Sequence, residues 1–102
     1  MNDEKHIVTV DQDLEELIPG FLENRNKDIG LLLDALTVKN FSSMQSIGHS
    51  LKGVGGGYGF HKLSELGANI ETAAKASDQA SLEKLIGELK NYMENVEVVF
   101  EE

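Results

Sequence analysis

The sequence predicts an all-α protein, an antiparallel up-down four-helix bundle with a short additional N-terminal helix. Apolar residues recur at helical spacing through most of the chain, and the turn signals between these stretches are short. No alternating pattern of convincing strand length is present. Because 102 residues suffice for one domain with its own core, we expect a flexible N-terminal segment over residues 1–10 and one helical domain over residues 11–102.

The first helical region is predicted to begin near Asp11, where capping-box spacing marks a helix start. Pro19 suits the first turn of a helix but breaks a helix interior. Either a short helix over residues 11–17 precedes a longer one from residue 19, or one helix is kinked there; we favour the first. The apolar positions of this region are Leu14, Leu17, Ile18, Phe21, Leu22, Ile29, Leu32, Leu33 and Leu36.

Three further helices are predicted after a short turn. The first begins between Asn40 and Ser43 and stops at Gly59, a residue suited to the left-handed conformation just beyond a helix. The second covers about residues 60–76. Asp78 caps the last helix. Its apolar positions are Leu82, Leu85, Leu89, Tyr92, Met93, Val96, Val99 and Phe100.

His49 is predicted to point away from the core. Five apolar residues of its helix lie within about 40° of the opposite side of the helical wheel: Met44, Ile47, Leu51, Val54 and Tyr58. Small or polar residues lie within about 60° of it: Ser42, Gln45, Ser46, Lys52, Gly53 and Gly56. Glycine destabilises the interior of a helix, so the presence of Gly53 and Gly56 needs an explanation. The simplest explanation is that another molecule approaches this side of the helix closely.

Composition excludes several classes of function. A net charge of −9 argues against nucleic acid, because binding to phosphate backbones needs clustered Lys and Arg. The absence of cysteine removes disulfides and thiolate metal sites, and a reduced cytoplasm is the default location. No secretory signal and no apolar run of membrane-spanning length is present. We therefore expect a cytoplasmic protein without membrane or nucleic-acid partners.

The residues around His49 resemble a known signature. His49, Leu51, Lys52, Gly53 and Gly59 are similar to the H-x-L-K-G-x-x-x-x-x-G motif of histidine phosphotransfer (HPt) domains. The resemblance extends from about residue 11 to residue 100, including the patterns D-L-x-x-L-I-P-x-F-L before the motif and I-E-x-A-A after it. It implies a helical bundle and a role in two-component phosphorelays.

The resemblance also implies roles for individual residues. His49 would be the phosphoacceptor, attacking through Nε2, and Lys52 would stabilise the phosphoryl oxygens. Gln45 would hydrogen-bond the imidazole or the partner, with a solvated side chain equally favoured, and Ser46 would contact the partner. Gly53 and Gly56 would leave room for the partner, with close helix packing equally favoured for Gly56. The partners would be response-regulator receiver domains and a histidine kinase. Because no carboxylate cluster near His49 could hold Mg²⁺, the metal would come with the receiver, and we expect no cofactor or metal site in this chain.

Other functions stay open at this point. The alternative to a phosphocarrier without kinase activity of its own is a phosphorylation-independent helical docking module, and a metal-dependent helical enzyme is a distant third. The glycine run lacks G-x-G-x-x-G and P-loop order, and the three histidines lack metal-ligand spacing. We expect a monomer that forms transient complexes. The cognate partners, the direction of phosphate flow and membership of a larger hybrid kinase are not predicted.

Overall fold

The computed structural model describes residues 5–102, and within them the chain forms four α-helices, one 3₁₀ helix and two short parallel strands. The elements are β1 (His6–Asp11), the 3₁₀ helix (Gln12–Leu17), α1 (Ile18–Thr37), α2 (Phe41–Tyr58), α3 (His61–Lys75), α4 (Gln79–Asn95) and β2 (Val96–Glu101). The prediction of a mostly helical fold with four main helices is confirmed. The antiparallel, up-down order of the four helices stays a prediction.

The core is built from the apolar faces of all four helices. Its buried members include Leu32 of α1, Leu51 of α2, Ile70 of α3 and Leu89 of α4, each with no exposed surface. Phe21 packs its ring 4.5 Å from the ring of Tyr58 and 4.7 Å from that of Phe60, measured between centroids. Burial of these side chains is the main contribution to stability, because apolar surface leaves water.

The helix ends follow the sequence signals. Asn40 precedes α2, and its side chain accepts a hydrogen bond from the backbone N–H of Ser43 at 3.1 Å. Gly59 follows α2 with φ of 86°, the left-handed conformation that glycine adopts without strain. Pro19 lies in the first turn of α1, where its missing N–H has no cost. Where a short helix over residues 11–17 was predicted, the structure has the 3₁₀ helix.

The two strands were not predicted, and the extent of the last helix was predicted wrongly. α4 ends at Asn95, and Val96 adopts extended backbone with φ of −74° and ψ of 135°. The predicted helical positions Val99 and Phe100 therefore lie in β2, where each is 39% exposed. The sequence V-E-V-V-F suits a strand because β-branched side chains pack well on a pleated surface. It also continues the helical apolar spacing of α4, which misled the prediction.

β1 supplies the hydrogen-bonding partner of β2. The strands run parallel, with Val8 opposite Val98 and Val10 opposite Phe100. Val10 is buried in the core. Residues 6–10 were assigned to a flexible segment, and the structure places them in this strand pair; residues 1–4 lie outside the described part. The domain boundary at residue 10 stays a prediction.

Tyr92 of α4 is buried, and burial raises the pKa of its hydroxyl to about 12. An unfolded tyrosine has a pKa of about 10, so between pH 10 and 12 the unfolded chain releases a proton that the folded chain retains. Stability should therefore fall as pH rises through this window, by on the order of 2 kcal/mol. Chemical denaturation at pH 9, 10 and 11 measures this. Tyr92→Phe should lose less stability than the wild type, and equal losses would contradict the assignment.

Candidate functional site

His49 lies in the middle of α2 and points into solvent. Its side chain is 73% exposed, whereas Leu51 on the opposite side of the helix is fully buried. The prediction that His49 faces away from the core is confirmed. One imidazole nitrogen is nevertheless held by a neighbouring helix.

That contact comes from Glu71 of α3. Its Oε2 lies 3.1 Å from Nδ1 of His49, and the glutamate side chain is only 18% exposed. An ionised carboxylate only accepts hydrogen bonds, so in the neutral imidazole the proton belongs on Nδ1. The lone pair of Nε2 is then free to act as a nucleophile toward solvent. The arrangement selects one tautomer and fixes the ring orientation.

Glu71 had no predicted role. The sequence feature that could have indicated Glu71 was the I-E pair in the pattern I-E-x-A-A, which formed part of the family resemblance. Spacing along one helix could not reveal the contact, because His49 and Glu71 are 22 residues apart and belong to different helices. Glu71 is the residue that sequence reasoning missed.

Glycines allow α3 to come close enough for this contact. A Cβ added to Gly48 would lie 2.7 Å from the backbone nitrogen of Glu71 and 2.8 Å from the carbonyl oxygen of Gly67. A Cβ on Gly67 would lie 2.6 Å from the backbone nitrogen of Lys52. Side-chain carbons do not approach backbone atoms this closely, so larger residues would push the helices apart. A Cβ on Gly55 would likewise lie 2.7 Å from the backbone nitrogen of Ser64.

Lys52 lies one turn after His49 on the exposed side of α2. Its carbonyl oxygen accepts a hydrogen bond from the hydroxyl of Ser64 at 2.8 Å, a second link between α2 and α3. Within residues 5–102 its ammonium group takes part in no ion pair. A cation there can meet an anion that approaches His49 from solvent.

The other predicted site residues lie on the same side of α2. Ser46 is exposed and Gln45 is half-buried. Gly53 and Gly56 are exposed: a Cβ on Gly53 would meet nothing within 4 Å, and one on Gly56 would make an ordinary 3.7 Å contact with the hydroxyl oxygen of Ser64. Neither glycine is needed for helix packing, which removes the packing explanation for Gly56. Their access role stays a prediction.

No group of three or more His, Cys, Asp or Glu side chains in residues 5–102 is placed to hold a metal ion. No helix in that part of the chain has both the length and the apolar character needed to cross a membrane.

The family model for the Hpt domain matches residues 11–98, which is more than half of the chain. The chain belongs to the Hpt domain family. Hpt domains are phosphotransfer modules of two-component phosphorelays, phosphocarriers rather than kinases, and they interact with receiver domains and kinases. Searches of the curated proteins and of the solved structures gave no significant match. In this Hpt domain, the exposed imidazole of His49 and its contact with Glu71 are the main features of the candidate site.

Proposed function

We propose that this Hpt domain carries a phosphoryl group on His49, accepting it from the phosphoaspartate of a receiver domain or from a histidine kinase and passing it to a second receiver. One observation carries the proposal. His49 is exposed at the family motif, and Glu71 holds its Nδ1 at 3.1 Å, so that Nε2 is free. A docking module would need neither the nucleophile nor the carboxylate that orients it.

The transfer step exchanges one bond for another. Nε2 of His49 attacks the phosphorus, the N–P bond forms, and the bond between phosphorus and the aspartyl oxygen of the partner breaks. The aspartate leaves as a carboxylate. Positive charge develops on the imidazole as Nε2 donates its electron pair, and the carboxylate of Glu71 on the Nδ1 side stabilises that charge. Transfer to a second receiver is the same step in reverse.

The remaining roles follow from the charge of the transferred group. The free ammonium group of Lys52 would pair with the phosphoryl oxygens as a point charge. Mg²⁺ would be supplied by the receiver, which needs it to hold the same oxygens. Gln45 and Ser46 would contact the partner, and Gly53 and Gly56 would leave room for its loops. We further propose an antiparallel bundle that acts as a cytoplasmic monomer in transient complexes.

The test is transfer from a labelled receiver. The protein is incubated with a receiver domain phosphorylated on aspartate, in the presence of Mg²⁺. Label that is acid-labile and base-stable should appear on the wild-type chain, as expected for phosphohistidine. A receiver whose aspartate has been replaced is the control. Absence of label from every receiver and kinase of the same cell, with the protein folded, would favour the docking module.

Glu71→Ala tests the positioning role of the carboxylate. Transfer should slow by roughly tenfold, because the imidazole loses both its orientation and the stabilisation of its developing charge. Nitrogen-15 NMR of the imidazole distinguishes this role from a general loss of structure. The wild type should show the proton on Nδ1, and the variant should shift it toward Nε2. The same tautomer and the same rate in both proteins would contradict the proposal.

Gly53→Leu tests access to the site. The side chain would enter open space, and the helix should gain about 0.8 kcal/mol from better propensity. Transfer should nevertheless slow by about tenfold, because the leucine stands one turn from His49 and obstructs the receiver. Gly87→Leu is the matched control: Gly87 is also exposed and open, but it lies on α4. Equal rates in the two variants would remove the access role of Gly53.

A further inference from the structure

A groove of about 600 Å³ lies between the C-terminal half of α1 and the N-terminal half of α2. We call it the α1–α2 groove, and its apolar lining consists of Leu31, Ala35, Val38 and Ile47. Two of these side chains lie largely in water, because Leu31 is 55% exposed and Val38 is 72% exposed. Large apolar side chains that meet on one exposed groove form a surface that gains stability when another protein covers it.

The α1–α2 groove adjoins the phosphotransfer site. Ser42 and Ser46 line the groove, and both are exposed on the side of α2 that carries His49. Ser46 precedes His49 by three residues, which is ~4.5 Å along the helix axis. A protein interface covers roughly 800 Å² on each partner, a disc of roughly 16 Å radius. A partner that reaches His49 therefore also covers part of a neighbouring helix.

The two helices beside α2 offer different surfaces to such a partner. On the helical wheel of α2, Ser46 on the groove and Gly48 against α3 lie on opposite sides of His49. The large apolar residues of α3 are all buried: Leu63, Leu66 and Ile70. On α1, Leu31 and Val38 are exposed. A partner at His49 therefore buries more apolar surface if it extends over α1 than if it extends over α3.

Charge restricts the kind of surface that fits the groove. Among the groove's lining residues in the described part of the chain, only Asp34 is charged. Asp34 is exposed and takes part in no ion pair within residues 5–102. The matching surface is apolar with a Lys or Arg at its edge. A second copy of this chain fits poorly, because each copy carries a net charge of −9.

We propose that the α1–α2 groove is the docking surface for the receiver domain, which covers Leu31 and Val38 with apolar side chains and places a basic residue opposite Asp34. This inference rests on the proposed phosphotransfer function and adds the direction from which the receiver approaches. The receiver extends from His49 over α1 rather than over α3. The groove contributes to affinity and to the choice of receiver, whereas the imidazole carries out the transfer.

Leu31→Ala tests the apolar contact. Its partner is an unphosphorylated receiver that, when phosphorylated, labels the wild-type chain, and calorimetric titration measures the affinity. The substitution should weaken binding at least fivefold, because apolar surface buried in the complex is lost. Leu33→Ala is the matched control: Leu33 is 43% exposed, lies about 200° around α1 from Leu31 and does not line the groove. Equal affinities of the two variants would overturn the groove.

Asp34→Lys tests the charge. Binding of the same receiver should weaken at least threefold, and the difference from the wild type should shrink at high salt. Glu88→Lys makes the same change of charge on an exposed position of α4 and should leave the affinity within twofold of the wild type. Equal weakening by both substitutions would show that only net charge matters, and would overturn the pairing of Asp34.

Backbone NMR of the full chain determines which neighbouring helix the receiver covers. Adding the unphosphorylated receiver should shift the amides of Leu31, Val38 and Ser42 more than those of Thr72 and Lys75, which are exposed on α3. Equal or larger shifts on α3 would overturn the approach over α1.

The same proteins separate this inference from the proposed function. Binding at the groove without transfer of label would support the docking surface and contradict the phosphocarrier. Undiminished binding and transfer in Leu31→Ala would contradict the docking surface alone. If sedimentation shows a wild-type dimer that Leu31→Ala converts to a monomer, the occupant is a second copy and receiver docking at the groove is overturned.

Discussion

Replacing His49 with glutamine should abolish phosphotransfer and leave the fold nearly unchanged. Glutamine has no imidazole nitrogen to form the N–P bond, so no labelled product is expected above background. The side chain is 73% exposed, and substitutions at exposed positions usually change stability by no more than about 0.5 kcal/mol. Transfer from a phosphorylated receiver measures the first effect, and circular dichroism with thermal melting measures the second.

The matched control for this experiment is Ser50→Gln. Ser50 is the next residue on α2 and is also exposed, so it introduces the same side chain beside the site without removing the nucleophile. It should keep transfer within a few-fold of the wild type. Wild-type labelling of the His49→Gln protein would show that another residue accepts the phosphoryl group. A large loss of helicity would show that His49 has a structural role instead.

Gly48→Ala should produce a large loss of stability. The added methyl group would meet the backbone of α3 at 2.7 and 2.8 Å, and backbone atoms of a packed helix cannot rotate aside as a side chain can. Overpacking of this kind costs about 1–3 kcal/mol, more than alanine gains over glycine in helix propensity. Urea denaturation should show a clear net loss. If the helices move apart, Glu71 also separates from His49, and transfer should slow.

Gly57→Ala, on the same helix, should instead raise the stability of the protein. Gly57 is exposed, and a Cβ there would meet nothing within 4 Å. This variant should therefore gain about 0.5–1 kcal/mol. Equal stability changes in Gly48→Ala and Gly57→Ala would contradict the close approach of α2 and α3. A destabilised Gly48→Ala protein with unchanged transfer would separate the packing role of the glycine from the positioning of Glu71.

The sequence by itself determined the helical fold and the exposure of His49. The helical fold and the exposure of His49 both depend on residues within one or two turns of each other. The spacing of apolar residues at a period of 3.6 shows directly which of these residues share a side of the helix. The cap at Asn40 and the left-handed Gly59 were predictable for the same reason, because each depends on a few neighbouring backbone groups. The candidate residues on the exposed side of α2 were found by the same local relation.

Only the tertiary structure decided which residues meet across helices and strands. The contact of Glu71 with His49 depends on the distance between α2 and α3, which glycines such as Gly48 make short. The end of α4 depends on β1, which lies at the other end of the sequence and supplies the partner of β2. Neither partner is marked by local spacing. A residue's neighbours in other elements are set by the packing of whole helices and strands. That packing determines both the tautomer of His49 and the strand conformation of the C-terminal segment.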